Sequence, residues 1–97
     1  MTQTREITKD GIARLVTNSV GGFLRKEIDV QEVLNSPTIG AFCDKYEGGC
    51  RGIYAISAII KIEDAYDLHI SDEDAENLID GNIAQTVKYL SQRIGNR

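Results

Sequence analysis

The chain has 97 residues, of which 41% are hydrophobic and 27% charged, and its formal net charge is −4. This composition predicts one folded domain over residues 1–97 and excludes a disordered tail. The acidic balance argues against binding to nucleic-acid phosphates, which requires clustered Lys and Arg. No apolar run approaches the roughly 20 residues of a membrane span, and residues 1–11 lack the pattern of a secretory signal. We therefore expect a cytoplasmic protein without a membrane span.

The first predicted element is a helix over about residues 8–20. Thr8 is a suitable N-cap, and Gly21-Gly22 predict the end of the helix. Apolar residues recur at helical spacing and mark the face expected in the core: Ile12, Leu15, Val16, Val20 and Phe23.

Residues 21–52 predict a long, partly helical connection, with a helical turn near residues 29–34. Ser36-Pro37 then predict the start of a short helix, because Ser caps helices well and Pro suits the first helical position. This helix would extend to Tyr46, and Cys43 would pack in the core beside Phe42.

The segment from Ile53 to Tyr66 is the most apolar and predicts a central helix of a small bundle. Ile53, Ile56 and Ile60 share one face, which we expect to be buried, and Ile59 and Ile62 widen the apolar stripe. On this view Ile56→Ala or Ile60→Ala costs roughly 2–5 kcal/mol of stability.

Two further helices complete the predicted bundle. Ser71 caps a short helix with an acidic first turn, which ends near Leu78. Asn82 caps the last helix, which carries apolar residues at spacings of four, three and four before its stop at Gly95: Ile83, Val87, Leu90 and Ile94. The fold class is therefore all-α, a small four-helix bundle with a long, partly helical loop between the first two main helices.

The second half of this pattern resembles the acyl carrier proteins, small bundles that carry acyl groups on a phosphopantetheine arm. Residues 62–78 read Ile-Glu-Asp-Ala-Tyr-Asp-Leu-His-Ile-Ser-Asp-Glu-Asp-Ala-Glu-Asn-Leu. Carrier proteins have there Leu-Glu-x-x-Phe and then Ile-Pro-Asp-Glu-x-Ala-Glu, so Tyr66 replaces Phe and Ser71 replaces Pro. Residues 82–90, Asn-Ile-Ala-Gln-Thr-Val-Lys-Tyr-Leu, are similar to the family's last helix. The motifs resemble the family over about residues 53–90. Residues 21–52 resemble it only in the predicted arrangement of helices and loop.

The residue that carries the arm in this family is missing. Carrier proteins begin their second main helix with Asp-Ser-Leu, and the Ser forms the phosphodiester. Counted back from Tyr66, these positions are Arg51, Gly52 and Ile53. Gly52 has no hydroxyl, so the resemblance implies no cofactor at the expected site. Ser57 and Ser36 are substitute attachment points, although both lack the flanking Asp and Leu and are well explained as a tolerated surface residue and a helix cap.

Other candidate sites are weaker. Cys43 and Cys50 have no partners at zinc spacing, so we expect free thiols and no metal site. A disulfide between them across the loop is the alternative, and Arg51 would favour a thiolate at Cys50. The acidic run at Asp72 has Asn and Ile where an EF-hand loop needs Gly and Glu. His69, the only histidine, is expected in a surface loop with no nucleophile paired to it.

The resemblance implies a protein that is not an enzyme and docks to enzymes of a fatty-acid, polyketide or related pathway. The first hypothesis is a non-acylated docking or regulatory partner, a monomer or weak dimer. Its contact face would consist of Arg51, Ile53, Tyr54, Ser57 and Lys61. Few acidic side chains lie on that helix, so charge steering toward basic enzymes would be weaker than in the family. One alternative is a working carrier with 4'-phosphopantetheine at an atypical site. The other is a small helical interaction protein unrelated to acyl transfer.

Overall fold

A computed structural model describes residues 7–47 and 52–94 of the chain. These residues form helices and no strands, which confirms the all-helical prediction. The helices are α1 (Lys9–Leu24), α2 (Val30–Leu34), α3 (Ile39–Glu47), α4 (Ile53–Tyr66), α5 (Asp72–Ile79) and α6 (Ile83–Ile94). The long connection between α1 and α4 is partly helical, as predicted, because it contains α2 and α3. No helix in the described ranges combines the length and the apolar character that crossing a membrane requires.

Helix α1 packs against α2, α4 and α6, and α4 also packs against α3 and α5. The core lies where α1 and α4 meet the shorter helices, and residues from four helices are completely or almost completely buried in it: Ile12, Val16, Val20, Phe42, Cys43, Ala58, Ile62 and Leu90. The prediction that Cys43 packs in the core beside Phe42 is confirmed. Helix α4 therefore packs against its neighbours along one side only, and α1 contributes more buried residues to the core than α4 does.

Helix α1 begins as predicted and ends later than predicted. The Thr8 hydroxyl accepts the Gly11 N–H at 3.0 Å, which satisfies one free donor of the first turn. The end expected at Gly21-Gly22 was wrong, because the helix continues to Leu24. Arg25 then adopts a left-handed conformation (φ 57°), and its N–H donates to the Gly21 carbonyl. Gly21 thus contributes to the cap of the helix without ending it.

The start of α3 also differs from the prediction. Thr38, and not Ser36, caps this helix, since its hydroxyl accepts the Ala41 N–H at 2.9 Å. The Ser36 hydroxyl instead donates to the Glu32 carbonyl at 2.7 Å and closes the end of α2. Ser36 lies too near the preceding helix to serve the next one, so the N-cap role passes to the following hydroxyl.

The face of α4 that we predicted to be buried is exposed. Ile53, Ile56 and Ile60 are 61%, 54% and 50% exposed, whereas Ile59 and Ile62 are in the core. The rest of the buried face consists of Ala55, Ala58 and Tyr66. The small alanine side chains let neighbouring helices approach α4 closely, so the side of the helix that carries them packs inward.

The caps of α5 and α6 are confirmed. The Ser71 hydroxyl accepts the Asp74 N–H at 3.2 Å. Asn82 and Gln85 form a reciprocal pair, in which each side-chain oxygen accepts the other residue's backbone N–H at 3.0 and 2.9 Å. Of the apolar residues predicted for α6, Ile83 and Leu90 are buried and Val87 and Ile94 are half-buried.

Candidate functional site

Gly52 lies at the N-cap of α4 in a backbone conformation that L-residues rarely adopt. Its φ is 101° and its ψ −30°, and no side chain caps the helix there. Its carbonyl accepts the Ile56 N–H at 2.8 Å and so begins the helical hydrogen bonds. A Cβ at Gly52 would meet only the Ile56 Cδ1 atom, at 4.0 Å. Space is therefore available for a side chain, but a positive φ disfavours one by about 1–2 kcal/mol, and glycine has no hydroxyl to esterify.

The two substitute serines are in different environments. Ser57 lies half-buried on α4, about one and a half turns beyond Gly52. Ser36 is also half-buried, and its hydroxyl is already engaged with the Glu32 carbonyl. Ser57 lies within α4 and Ser36 lies between α2 and α3, so the two serines do not form one site.

The remaining residues of the predicted contact face lie along α4 where they are described. Ile53 and Lys61 are exposed, and Tyr54 and Ser57 are half-buried. Arg51 and Cys50 lie outside the described residues. The described part of the predicted face therefore occupies the outer side of α4. It includes Ile53 and lies beside Ile56 and Ile60, which were expected in the core.

Those isoleucines form a continuous apolar ridge, which we name the isoleucine stripe (Ile53, Ile56 and Ile60). Residues three and four apart on a helix are surface neighbours, and each of the three is at least half exposed. Sequence reasoning assigned the stripe to the core because isoleucine is usually buried. The available contrary signal was weak: Ala55, Ala58 and Ile62 mark the opposite face of the same helix.

A groove of about 900 Å³ lies beside the stripe, between α3, α4 and α5; we name it the α4 groove. Its apolar lining comes mainly from α4 and α5: Ala55, Ile56, Ile59, Ile60, Ala75 and Ile79. Carboxylates from all three helices line it as well, and we name these the acidic rim: Asp44, Glu63, Asp72, Glu76 and Asp80. Among the described residues that line this groove there is no Lys or Arg, so its electrostatic potential is negative.

Glu63 and His69 meet at one end of the α4 groove. The Glu63 Oε2 atom accepts the Ile70 N–H at 2.6 Å and lies 3.4 Å from the His69 Nδ1 atom. The first contact fixes the loop after α4, in which Asp67 adopts a left-handed conformation (φ 53°). The His69 side chain is 87% exposed, which confirms the prediction of a surface loop residue. Within the described ranges, no three His, Cys, Asp or Glu side chains group so that they could hold a metal ion.

At the other end of the stripe, Tyr54 stacks on Phe23. The two ring centroids are 4.7 Å apart, and the ring planes differ by 6°. Phe23 was predicted on the buried face of α1 but is 51% exposed. Its ring covers Tyr54 instead of entering the core, because α1 extends past Gly22 to the start of α4. Apolar surface thus continues from α4 to the end of α1.

No protein-family model matches the chain, and no curated protein or solved structure matches it significantly. The described residues themselves define a small all-α bundle. Helix α4 of this bundle exposes an apolar stripe beside an acidic groove.

Proposed function

We propose that this protein is an acyl-carrier-protein-like bundle of a fatty-acid, polyketide or related pathway, and that it acts without phosphopantetheine as a docking or regulatory partner of the pathway's enzymes. The observation that carries the proposal is Gly52. It occupies the start of α4, where a carrier has its attachment serine, and it has neither a hydroxyl nor a backbone conformation suited to serine.

The order of the helices supports the family resemblance. A long α1 is followed by a partly helical connection, by the apolar α4, by the short α5 and by α6. The resemblance of residues 62–78 spans the end of α4 and most of α5, and that of residues 82–90 lies in α6. The motifs therefore fall on the helices where the family would have them.

The exposed side of α4 supports the docking role. In a carrier this helix meets partner enzymes beside the arm, and here it presents the isoleucine stripe with Tyr54, Ser57 and Lys61. Burying apolar surface of this kind is the main favourable contribution in most protein associations. The exposed side of α4 can therefore bind a partner enzyme even when the phosphopantetheine arm is missing.

The first test is the intact mass of the protein after incubation with coenzyme A and a broad-specificity phosphopantetheinyl transferase. We expect no gain in mass, while a control carrier gains one phosphopantetheine group. The triple variant Arg51→Asp, Gly52→Ser, Ile53→Leu restores the family motif and is the matched control; modification of this variant would support the family assignment. A gain in mass by the wild type, mapped to Ser57 or Ser36, would instead establish a working carrier with an atypical site.

The second test measures direct binding to purified carrier-dependent enzymes, a ketosynthase and an acyltransferase. Binding by the unmodified protein is the expected result, and Ile60→Ser should weaken it. The competing function is a helical interaction protein unrelated to acyl transfer, which the isoleucine stripe favours equally. If neither enzyme binds and the triple variant with the restored motif is not modified, the results would favour this competing function.

A further inference from the structure

The isoleucine stripe has the geometry of a helix-packing ridge. Ile53, Ile56 and Ile60 follow one another at intervals of three and four along α4, and each is half or more exposed. Apolar side chains at alternating intervals of three and four form the seam along which one helix packs on another. The stripe therefore matches a helical occupant better than an extended peptide, which would need a free sheet edge.

The acidic rim determines the charge of that occupant. Four carboxylates from three helices and a fifth, Asp80, at the end of α5 line the α4 groove, and Lys and Arg are lacking among the described lining residues. A neutral or acidic partner would bury part of this charge without compensation, which is costly. A partner with Lys or Arg beside its apolar residues would neutralise it and would also be steered toward the groove.

We propose that the α4 groove binds a cationic amphipathic helix of a partner protein, with the apolar face of that helix on the isoleucine stripe and its Lys or Arg side chains on the acidic rim. This inference rests on the proposed function, since it takes the outer side of α4 as the docking face. It adds the secondary structure and the charge of the segment that docks.

Two other occupants fit the groove less well. A second copy of this chain would bring its own acidic rim and a net charge of −4 to the same interface, so like charges would oppose each other. A fatty-acyl chain would have no serine at Gly52 to anchor it, and a free fatty acid would place its carboxylate among the carboxylates of the rim.

The probe for this proposal is a synthetic peptide of about 18 residues, or five helical turns, with Leu on one face and Lys on the other. Fluorescence anisotropy with the full chain measures its affinity. One control peptide has the same composition in scrambled order, and a second has Glu in place of Lys. We expect binding only by the amphipathic Lys peptide, with an affinity that falls as the salt concentration rises.

Matched variants of the protein locate the binding. Ile56→Ser should weaken binding about tenfold or more, which corresponds to about 1.4 kcal/mol, whereas Ala84→Ser, at an exposed position of α6 outside the α4 groove, should change it less than about twofold. Glu76→Gln, on the rim, should weaken binding several-fold, and Glu73→Gln, on the same helix but outside the groove, should not. Circular dichroism of each variant checks that the helices remain.

The results also separate this inference from the proposed function. Equal binding of the scrambled peptide, or binding unaffected by Ile56→Ser and Glu76→Gln, overturns the inference, even if carrier-dependent enzymes still dock. If the protein self-associates and Ile56→Ser abolishes this, the stripe would bind a second copy of the chain. That result would also overturn the inference. Selective binding of the Lys peptide with the expected variant effects supports it, and if carrier-dependent enzymes fail to bind, only the pathway assignment is lost.

Discussion

The rings of Phe23 and Tyr54 lie face to face, with their centroids 4.7 Å apart and their planes 6° from parallel. One residue is in the last turn of α1 and the other in the first turn of α4, so the pair joins the two main helices next to Gly52. Phe23 stays half exposed in this arrangement. The contact therefore joins the end of α1 to the start of α4 and leaves one aromatic ring partly in water.

We expect this stacking to contribute measurably to stability. In a double-mutant cycle of Phe23→Ala and Tyr54→Ala, the coupling energy should be about 0.5–1.5 kcal/mol, as for other aromatic pairs. Urea unfolding of the four proteins measures it. Additive effects of the two substitutions would contradict the stacked arrangement.

The two sides of α4 should respond differently to truncation. Ile62 is fully buried, so Ile62→Ala should lower the free energy of unfolding by about 2–5 kcal/mol. Ile56→Ala removes the same atoms from a side chain that is 54% exposed, and it should cost less than about 1 kcal/mol. Chemical denaturation of this matched pair tests the orientation of the helix. Similar losses for both variants would mean that the stripe is covered in solution.

The adjacent glycines of α1 should give opposite results. A Cβ at Gly21 would lie 2.6 Å from the Lys26 carbonyl oxygen, so Gly21→Ala should destabilise the protein. A Cβ at Gly22 would have no atom within 4 Å, so Gly22→Ala should stabilise it by about 0.5–1 kcal/mol through higher helix propensity. Thermal unfolding compares the two variants. Stabilisation by both would show that the turn after α1 is not packed against Gly21.

Acid should weaken the contact between α2 and α3 through Glu32. The Tyr46 hydroxyl and then the Lys45 ammonium bond to the Glu32 carboxylate, and both lower its pKa below the ordinary value. Because the folded-state pKa is the lower one, this contribution is complete above the unfolded pKa of about 4.3 and is lost as the pH falls through the folded value. From about pH 5 to 3 the stability of Glu32→Gln should therefore decline less than that of the wild type. Tyr46→Phe should reduce the decline too, and parallel curves for all three proteins would contradict the assignment.

Thr86 on α6 offers a stabilising substitution. Its side chain is completely buried, and its hydroxyl has no hydrogen-bond partner among the described residues. A buried polar group without a partner costs about 1–3 kcal/mol. Thr86→Val keeps the shape and removes this cost, so it should raise the free energy of unfolding by about 1 kcal/mol. A loss of stability would indicate that the hydroxyl finds a partner in solution.

Local signals in the sequence were sufficient to predict helix starts whose cap involves residues within a single turn. Thr8, Ser71 and Asn82 were predicted as caps and make these bonds. The prediction that Ser36 caps α3 was wrong. Ser36 lies between α2 and α3, and its hydroxyl donates to a carbonyl of α2. The predicted end of α1 was wrong because the cap depends on the left-handed conformation of Arg25. Arginine is not a residue type that indicates this conformation in a sequence.

The candidate site was only partly predictable. Its position on α4 and the missing hydroxyl at Gly52 followed from the sequence, whereas the acidic rim did not. The rim combines Asp44 of α3 and Glu63 of α4 with two carboxylates of α5 and with Asp80 just after it. No spacing along the chain indicates that these residues share one groove.

The sequence by itself determined an all-helical chain with an apolar helix after a long connection, because helical periodicity and caps are local properties. The tertiary structure decided which side of that helix is buried. Periodicity favoured the face with Ile53, Ile56 and Ile60, but close packing selected the opposite side, which carries Ala55 and Ala58. The isoleucine stripe was left exposed as a consequence, and this exposure defines the candidate docking surface.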